Sequence, residues 1–230
     1  MHMSDGLINA PISAVFGLIA VIGLAIAVSR ARADLDDRTA PMAGLVTAFV
    51  FAVQMINFPI LPGASGHLLG GALVAILVGP WVGALCIAIV LAVQALLFAD
   101  GGLTALGTNI VNMALVGVFV GYAVAVALRK LARRSRAGLV ATAFIAAFLN
   151  TVVASLAFVL EYAIGGAGGA SLGTVFTLMV GLHALIGIGE GIITAATVGA
   201  VASSRPDLIY LVRGSAEPLE LRRATEGSTS

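Results

Sequence analysis

TAPMAGLVTAFVFAVQMINFPILPGASGHLLGGALVAILVGPWVGALCIAIVLAVQALLFA, residues 39–99, contains no Asp, Glu, Lys or Arg. A transmembrane helix needs about 20 consecutive, mostly apolar residues, so this interval has room for three crossings. Prolines and glycines interrupt it within INFPILPGASGH (56–67) and again at Gly79 and Pro80, and both residue types end helices. The interval therefore predicts three membrane-spanning helices, separated by one long irregular connection and one short turn.

The rest of the chain has the same character. Hydrophobic residues make up 60% of the sequence and charged residues 10%, whereas roughly a quarter of the residues in soluble domains are charged. Further apolar runs that are each long enough for one crossing are 6–29, 101–128, 137–160 and about 173–203. We therefore predict an all-α integral membrane protein, a bundle of seven transmembrane helices that forms a single domain over residues 1–203. The lone Cys86 excludes a disulfide within the chain.

The basic residues indicate how the bundle is oriented. All 12 lysines and arginines fall into segments that follow the first, fifth and seventh predicted helices. These are Arg30, Arg32 and Arg38; Arg129, Lys130, Arg133, Arg134 and Arg136; and Arg205, Arg213, Arg222 and Arg223. Connections after odd-numbered helices share one side, and short basic loops stay in the cytoplasm. We expect the N-terminus outside, the C-terminus in the cytoplasm, and residues 204–230 as a polar cytoplasmic tail.

The first two residues can chelate a metal ion. MHMSDG (1–6) lacks the basic segment that begins a secretory signal peptide, so we expect Met1 to keep its free amine. That amine, the amide nitrogen of His2 and the Nδ1 atom of its imidazole close a five-membered and a six-membered ring around one ion. His67 lies in the irregular connection, on the expected outer side, and can supply a fourth nitrogen. A square of nitrogens suits Ni(II) or Cu(II), and by extension low-spin Co(II).

Each of these histidines also has a simpler interpretation. His2 is then a polar residue at a frayed terminus, and His67 an ordinary loop histidine. Their occurrence on the same predicted face favours the metal site. Because metal must displace protons from the amine and the imidazole, and must acidify the amide, the affinity should fall as the pH drops.

Other polar residues are candidates for a supporting role. His183 and Glu190 lie seven residues apart on one face of the last helix. Ionisable groups inside a membrane are functional or paired, so we expect either a structural hydrogen-bonded pair or a contribution to metal passage. Metal-bound histidines donate their other N–H to an oxygen; the alternative for polar residues near helix ends is capping. Residues placed for either role are Ser65, Gln94, Asp100 and Asn109.

The motif GASG (63–66) indicates an alternative function, because it has the GxSG form found in rhomboid intramembrane proteases. Ser65 is then the nucleophile and His183 its base, within hydrogen-bond reach of each other. A rhomboid glycine follows the histidine after three residues, but HALIG (183–187) puts it after four. This alternative also leaves His2 and His67 unused.

Four separated motifs resemble one transporter family. They are MHMSDG (1–6), FPILPGASGHLLGGALVAILVGP (58–80), QALLFADGGLTALGTNIVNMAL (94–115) and HALIGIGEGIIT (183–194). Together they are similar to the substrate-specific S component of the cobalt/nickel energy-coupling-factor transporters, the CbiM/NikM family, over about residues 1–200. Met3 and Ser4 depart from the residues common there, but neither supplies a ligand in the family pattern.

The resemblance implies an importer subunit in the prokaryotic plasma membrane, with Co(II) or Ni(II) as substrate. It implies capture by the Met1 amine, the His2 amide and imidazole, and the His67 imidazole. It also implies a transmembrane coupling (T) subunit, ABC ATPase subunits and a small accessory membrane subunit as partners. The sequence contains no GxxxxGK[ST] phosphate-binding loop, so ATP is expected to act only through those partners.

Overall fold

The computed structural model describes residues 1–213. These residues form a helical bundle with one small hairpin. The helices are α1 Ala10–Ala31, α2 Thr39–Gln54, α3 Gly71–Val78, α4 Pro80–Leu97, α5 Leu106–Ala127, α6 Arg129–Arg134, α7 Arg136–Gly165 and α8 Leu172–Ser204. The strands β1 Phe58–Leu61 and β2 Ala64–Gly66 lie between α2 and α3.

Five of these helices (α1, α4, α5, α7 and α8) are long and apolar enough to cross a membrane, so the prediction of a mostly helical membrane protein is confirmed. The other two predicted spans correspond to shorter helices. Thr39–Gln54 has 16 residues and Gly71–Val78 has 8. At 1.5 Å per residue the latter is about 12 Å long, against about 30 Å for the hydrocarbon core of a bilayer. The count of seven crossings stays a prediction.

The helix Gly71–Val78 is short because the chain before it forms the hairpin and a non-helical segment. The strands β1 and β2 pair as an antiparallel hairpin, and residues 67–70 then run without helical structure to Gly70, which has φ +78°. All eight residues of α3 are buried. Helix α3 is thus an internal element of the bundle, and it follows directly from the segment that contains His67.

The N-terminal residues extend the hairpin. Met3 pairs with Ala64, the Ser4 N–H donates to the Gly63 carbonyl at 2.9 Å, and the Ser65 N–H donates to the His2 carbonyl at 3.2 Å. These bonds satisfy backbone groups that would otherwise be buried without partners. The chain terminus is therefore packed against the hairpin.

The basic segments meet at the opposite end of the bundle. Arg129 Nε donates to the Leu211 carbonyl at 3.0 Å, and Arg213 Nη1 lies 2.9 Å from Thr39 Oγ1. Thr39 begins α2 whereas the hairpin follows the end of α2, so the helix separates the two ends. The basic loops thus share one end of the molecule, as the charge pattern predicts; which side of a membrane that end faces stays a prediction.

The predicted tail begins differently from the expected polar extension. Pro206–Leu208 and Tyr210–Val212 form two short 3-10 turns, and Ile209 and Leu211 are buried, at 0% and 2% exposure. The start of the tail therefore packs on the bundle through its few apolar residues. Residues 214–230 lie outside the described residues, and the domain boundary after residue 203 stays a prediction.

Candidate metal centre

The N-terminus is buried, and Asn109 holds it in place. Met1, His2 and Met3 are at most 2% exposed. The Met3 N–H donates to Asn109 Oδ1 at 2.9 Å, and Asn109 Nδ2 donates to the Met3 carbonyl at 3.0 Å. A side-chain amide that matches both the donor and the acceptor of one backbone residue fixes its orientation. A frayed terminus, the simpler interpretation of His2, does not describe this geometry.

The fold brings the imidazoles of His2 and His67 together. Their ring centroids are 4.4 Å apart and the ring planes are inclined at 36°. The two residues are separated in sequence by α1, α2, β1 and β2. Their meeting follows from the pairing of the terminus with β2, because His67 comes directly after that strand.

His67 presents an unpaired nitrogen. Its Nδ1 lies 2.8 Å from the Leu68 carbonyl oxygen. A carbonyl only accepts hydrogen bonds, so Nδ1 carries the proton and Nε2 has the free lone pair. That Nε2 is buried without a hydrogen-bond partner among the described residues. A buried, unsatisfied acceptor costs free energy, and a metal ion is one group that removes the cost.

His2 is held by the carboxylate of Asp100. Its Nδ1 lies 3.0 Å from Asp100 Oδ1, and Asn57 Nδ2 donates to Asp100 Oδ2 at 2.7 Å. The Nε2 atom of His2 has no partner among residues 1–213. A chelate through the His2 amide and Nδ1 therefore requires the ring to turn about its Cβ–Cγ bond. This rotation of the ring exchanges the positions of Nδ1 and Cδ2, and likewise those of Nε2 and Cε1. After it, Nε2 lies on the side of the ring that faces Asp100.

The turn around Asp100 allows the close approach of His2. Gly101 has φ +86°, in the left-handed region that glycine adopts without a steric cost. A Cβ atom at Gly101 would lie 3.3 Å from both His2 Cδ2 and Asn109 Nδ2. A larger residue at this position would therefore press on the ring and on the amide that holds the terminus.

Burial keeps the candidate donors neutral. It lowers the pKa of the Met1 amine well below the ordinary value, against the attraction of the Asp100 and Glu190 carboxylates. Burial also lowers the pKa of His2, against its hydrogen bond to Asp100, and it lowers the pKa of His67 well below the ordinary value, with the Met1 amine and His2 adding to the effect. Neutral amines and imidazoles are the forms that bind metal.

Asp100 supplies the negative charge of the site. Burial acts to raise the pKa of its carboxyl, but the hydrogen bonds to His2 and Asn57 hold that pKa below the ordinary value. The site thus combines uncharged nitrogen donors with one ionised carboxylate. Such a combination attracts a divalent cation.

The remaining supporting candidates are near the site in different ways. Ser65 contacts His2 through its backbone N–H, and its Oγ is buried without a partner among the described residues. Gln94 lies beside His2, and its Oε1 likewise has no partner in the described part of the chain. Asn109 holds Met3 and not a histidine. Among these candidates, Asp100 makes the closest defined contact, the 3.0 Å hydrogen bond to His2 Nδ1.

His183 and Glu190 have separate partners. His183 Nδ1 lies 2.8 Å from the Met179 carbonyl of its own helix, and its Nε2 has no partner among residues 1–213. Glu190 accepts hydrogen bonds from the backbone N–H groups of Leu69 and Gly70. The carboxylate therefore contacts the segment after His67 and not the histidine on its own helix.

Sequence reasoning missed several polar residues that support the site. Asn57 contacts Asp100, Gln54 contacts the Leu69 carbonyl, and Asn150 contacts Glu190. A signal for them existed, since strongly polar side chains are scarce in residues 39–99 and 137–160. Polar groups within apolar helices usually have a specific partner.

Side chains alone do not make this site. Within residues 1–213, no three His, Cys, Asp or Glu side chains form a group that could hold a metal ion. A metal bound beside His2 and His67 needs further nitrogens, and the buried Met1 amine and the backbone of His2 are adjacent to them.

The arrangement required for a serine protease is not formed. His183 contacts the Met179 carbonyl, and Ser65 Oγ has no hydrogen-bond partner among the described residues. Activation of a serine requires a base within hydrogen-bond reach.

Comparison with known proteins indicates metal transport. Residues 2–208 match the family model described as cobalt uptake substrate-specific transmembrane region, CbiM. The chain is 41% identical over 209 residues to a putative fused nickel transport protein NikMN of Archaeoglobus fulgidus, covering 91% of this chain and 68% of that protein. It is 32% identical over 216 residues to the cobalt transport protein CbiM of Sorangium cellulosum, covering 91% and 94%. A crystal structure of a truncated transition metal transporter is similar with a TM-score of 0.82 and 29% identity, covering 88% of this chain and 99% of that chain.

Proposed function

Because the chain belongs to the CbiM family of cobalt uptake substrate-specific transmembrane proteins, we propose that it is the metal-capturing subunit of an energy-coupling-factor importer for Co(II) or Ni(II). The observation that carries the proposal is a buried N-terminal amine next to two imidazoles, His2 and His67, whose Nε2 atoms are unpaired within the described residues.

The proposed ligands are the Met1 amine, the His2 amide nitrogen and imidazole Nδ1, and the His67 Nε2. Binding turns the His2 ring, so that Nδ1 faces the metal and the Nε2 proton faces Asp100. The His2 amide loses its proton to the solvent as the metal binds. With this anionic nitrogen and the Asp100 carboxylate nearby, the charge of the divalent ion is largely compensated. Four nitrogens in a plane favour Ni(II) and low-spin Co(II) over Mg(II), Ca(II) or tetrahedral Zn(II).

The proposed membrane arrangement follows the charge distribution. Seven helical segments place the terminus and the hairpin outside, in the prokaryotic plasma membrane, and the basic segments in the cytoplasm. Residues 1–203 are the membrane domain and residues 204–230 the cytoplasmic tail. Metal is thus captured from the exterior. The chain lacks a phosphate-binding loop motif, and energy comes from ABC ATPases through a T subunit, with a small accessory membrane subunit completing the importer.

The rhomboid alternative has no support. The relatives reported above are transport proteins, and the Ser65 hydroxyl has no hydrogen-bond partner within residues 1–213. Replacing Ser65 by Ala should therefore leave metal binding largely intact.

The proposed function is tested by blocking the terminal amine. Two residues placed before Met1, with His2 and His67 intact, convert the amine into an amide and should abolish retention of Ni(II) or Co(II) by the purified protein. The same two residues after Ser230 serve as the control and should leave retention unchanged. Undiminished retention with the N-terminal extension contradicts the proposed chelate, and thermal unfolding of both variants shows whether they are folded.

A further inference from the structure

The segment that carries His67 is held by a carboxylate from a distant helix. Glu190 lies in α8 and is 2% exposed. Its Oε2 accepts a hydrogen bond from the Leu69 N–H at 2.7 Å, and its Oε1 accepts one from the Gly70 N–H at 3.0 Å. Two consecutive backbone donors are therefore directed at the same carboxylate, immediately after the histidine.

Helix α7 fixes the orientation of that carboxylate. Asn150 Nδ2 donates to Glu190 Oε1 at 2.9 Å, and Thr151 Oγ1 lies 2.8 Å from Oε2. Each carboxylate oxygen thus has one backbone contact and one side-chain contact. Buried charged groups are stable when hydrogen bonds replace their lost water, so this carboxylate has one well-defined position.

The Leu68–Leu69 peptide connects the carboxylate to the His67 ring. The Leu68 carbonyl, 2.8 Å from His67 Nδ1, and the Leu69 N–H, which donates to Glu190, belong to the same planar peptide unit. An acceptor on the N–H side polarises the peptide and makes its carbonyl a stronger acceptor. A stronger acceptor for the Nδ1 proton makes Nε2 a better metal ligand.

The next peptide is held from the other side. Gln54 Nε2 donates to the Leu69 carbonyl at 2.6 Å, while the Gly70 N–H of the same peptide unit donates to Glu190. Both peptides after His67 are therefore fixed by buried side chains, which leaves the ring little freedom to change its direction.

We propose that Glu190 is a positioning residue of the metal centre: through the Leu68–Leu69 peptide it orients the His67 imidazole and strengthens Nε2 as a ligand. This role rests on the function proposed above, and it does not make Glu190 a ligand. Outer partners of metal-bound histidines typically contribute about 10–100-fold to affinity, and we expect the same range for Glu190.

The test is Glu190→Gln, which keeps the size of the side chain, removes its charge and puts an amide nitrogen where one oxygen accepts. Competition with a coloured chelator should show Ni(II) affinity about 10–100-fold below that of the unmodified protein. X-ray absorption at saturating Ni(II) should still report the nitrogen donors of the unmodified protein, because no ligand is removed. Glu190→Asp keeps the charge and should recover part of the affinity.

Glu161→Gln is the matched control. Glu161 is also a buried glutamate, 3% exposed and located in α7, and its Oε2 has no partner among the described residues. This variant should keep the unmodified affinity. An equal loss in Glu161→Gln and Glu190→Gln overturns the positioning role, because any change of a buried glutamate then has the same effect.

The outcomes separate the two proposals. If the unmodified protein binds Ni(II) through nitrogens and Glu190→Gln binds equally well, the positioning role is wrong and the proposed function stands. If the unmodified protein does not retain Ni(II) or Co(II), the proposed function itself fails. Should Glu190→Gln not fold, Asn150→Leu removes a donor from Glu190 and should lower the affinity by a smaller factor; unchanged affinity in that variant overturns the positioning role.

Discussion

Replacing Asp100 by Asn should weaken metal binding by a modest and calculable factor. The carboxylate lies 3.0 Å from His2 Nδ1, and its side chain is only 15% exposed. When the His2 ring binds a metal through one nitrogen, its remaining N–H becomes more acidic and donates more strongly to Asp100. The contact therefore favours the metal-bound state, whichever ring nitrogen holds the ion.

The magnitude follows from the change in hydrogen-bond type. A hydrogen bond to a charged group contributes about 1.5–3 kcal/mol, and a neutral one about half as much. Asn keeps an oxygen that accepts, so the expected loss is about 0.8–1.5 kcal/mol. At about 1.4 kcal/mol per factor of ten, the affinity for Ni(II) or Co(II) should fall about three- to twelvefold.

Calorimetric titration of the purified protein at pH 7.5 measures this change, with Asp207→Asn as the control. Asp207 carries the same charge and lies beside Arg205, at the other end of the bundle. Removing Asp100 lowers the pKa of His2 further, because the hydrogen bond to Asp100 acts to raise it. Proton competition therefore decreases in the variant and cannot explain a weaker affinity. Equal affinities in Asp100→Asn and Asp207→Asn would refute the reasoning.

Two substitutions and one measurement of proton release test the rest of the site. His67→Ala should remove one nitrogen from the X-ray absorption spectrum of bound Ni(II) and lower the affinity more than Asp100→Asn does; an unchanged spectrum assigns that donor elsewhere. Asn109→Leu removes the bonds to Met3 and should free the terminus, which is measured as faster acylation of the Met1 amine by an amine-reactive ester in metal-free protein; an equal rate contradicts the holding role. Burial lowers the pKa of the amine, of His2 and of His67, so near pH 7 these donors carry fewer protons than a free amine and free imidazoles do. Besides the amide proton, binding should then release fewer protons per ion than free donors would, as measured by calorimetry in buffers of different ionisation enthalpy; a release near pH 7 as large as free donors give contradicts the lowered pKa values.

Much of the architecture could be predicted from local patterns in the sequence. The long uncharged interval 39–99, the glycine and proline breaks and the grouping of basic residues depend only on composition and spacing. These features respond to the bilayer, which acts on every span in the same way. The short helix Gly71–Val78 could not be predicted from the sequence. Its apolar residues resemble those of a full span, and its start depends on where the hairpin ends.

Only part of the candidate site could be predicted from the sequence. His2 and His67 were identifiable because histidines are scarce, with three in the chain, and because a terminal amine next to a histidine has a known chelate geometry. The contact of Glu190 was not identifiable, since its partners are backbone N–H groups of Leu69 and Gly70. Backbone donors are present at nearly every residue, so no sequence pattern marks the two that a carboxylate selects.

Composition and charge thus determine that this chain is a helical membrane protein, and the order of its residues supplies the donors of the proposed nitrogen site. The three-dimensional arrangement alone decides that the terminus packs against the hairpin and that the ring centroids of His2 and His67 lie 4.4 Å apart. It alone also brings Asp100 to His2 and Glu190 to the segment after His67. The physical reason is the separation along the sequence over which each effect acts. Hydropathy and helix breaks act over a few helical turns. The contacts of the site join residues far apart in sequence, and their geometry depends on the packing of the whole bundle.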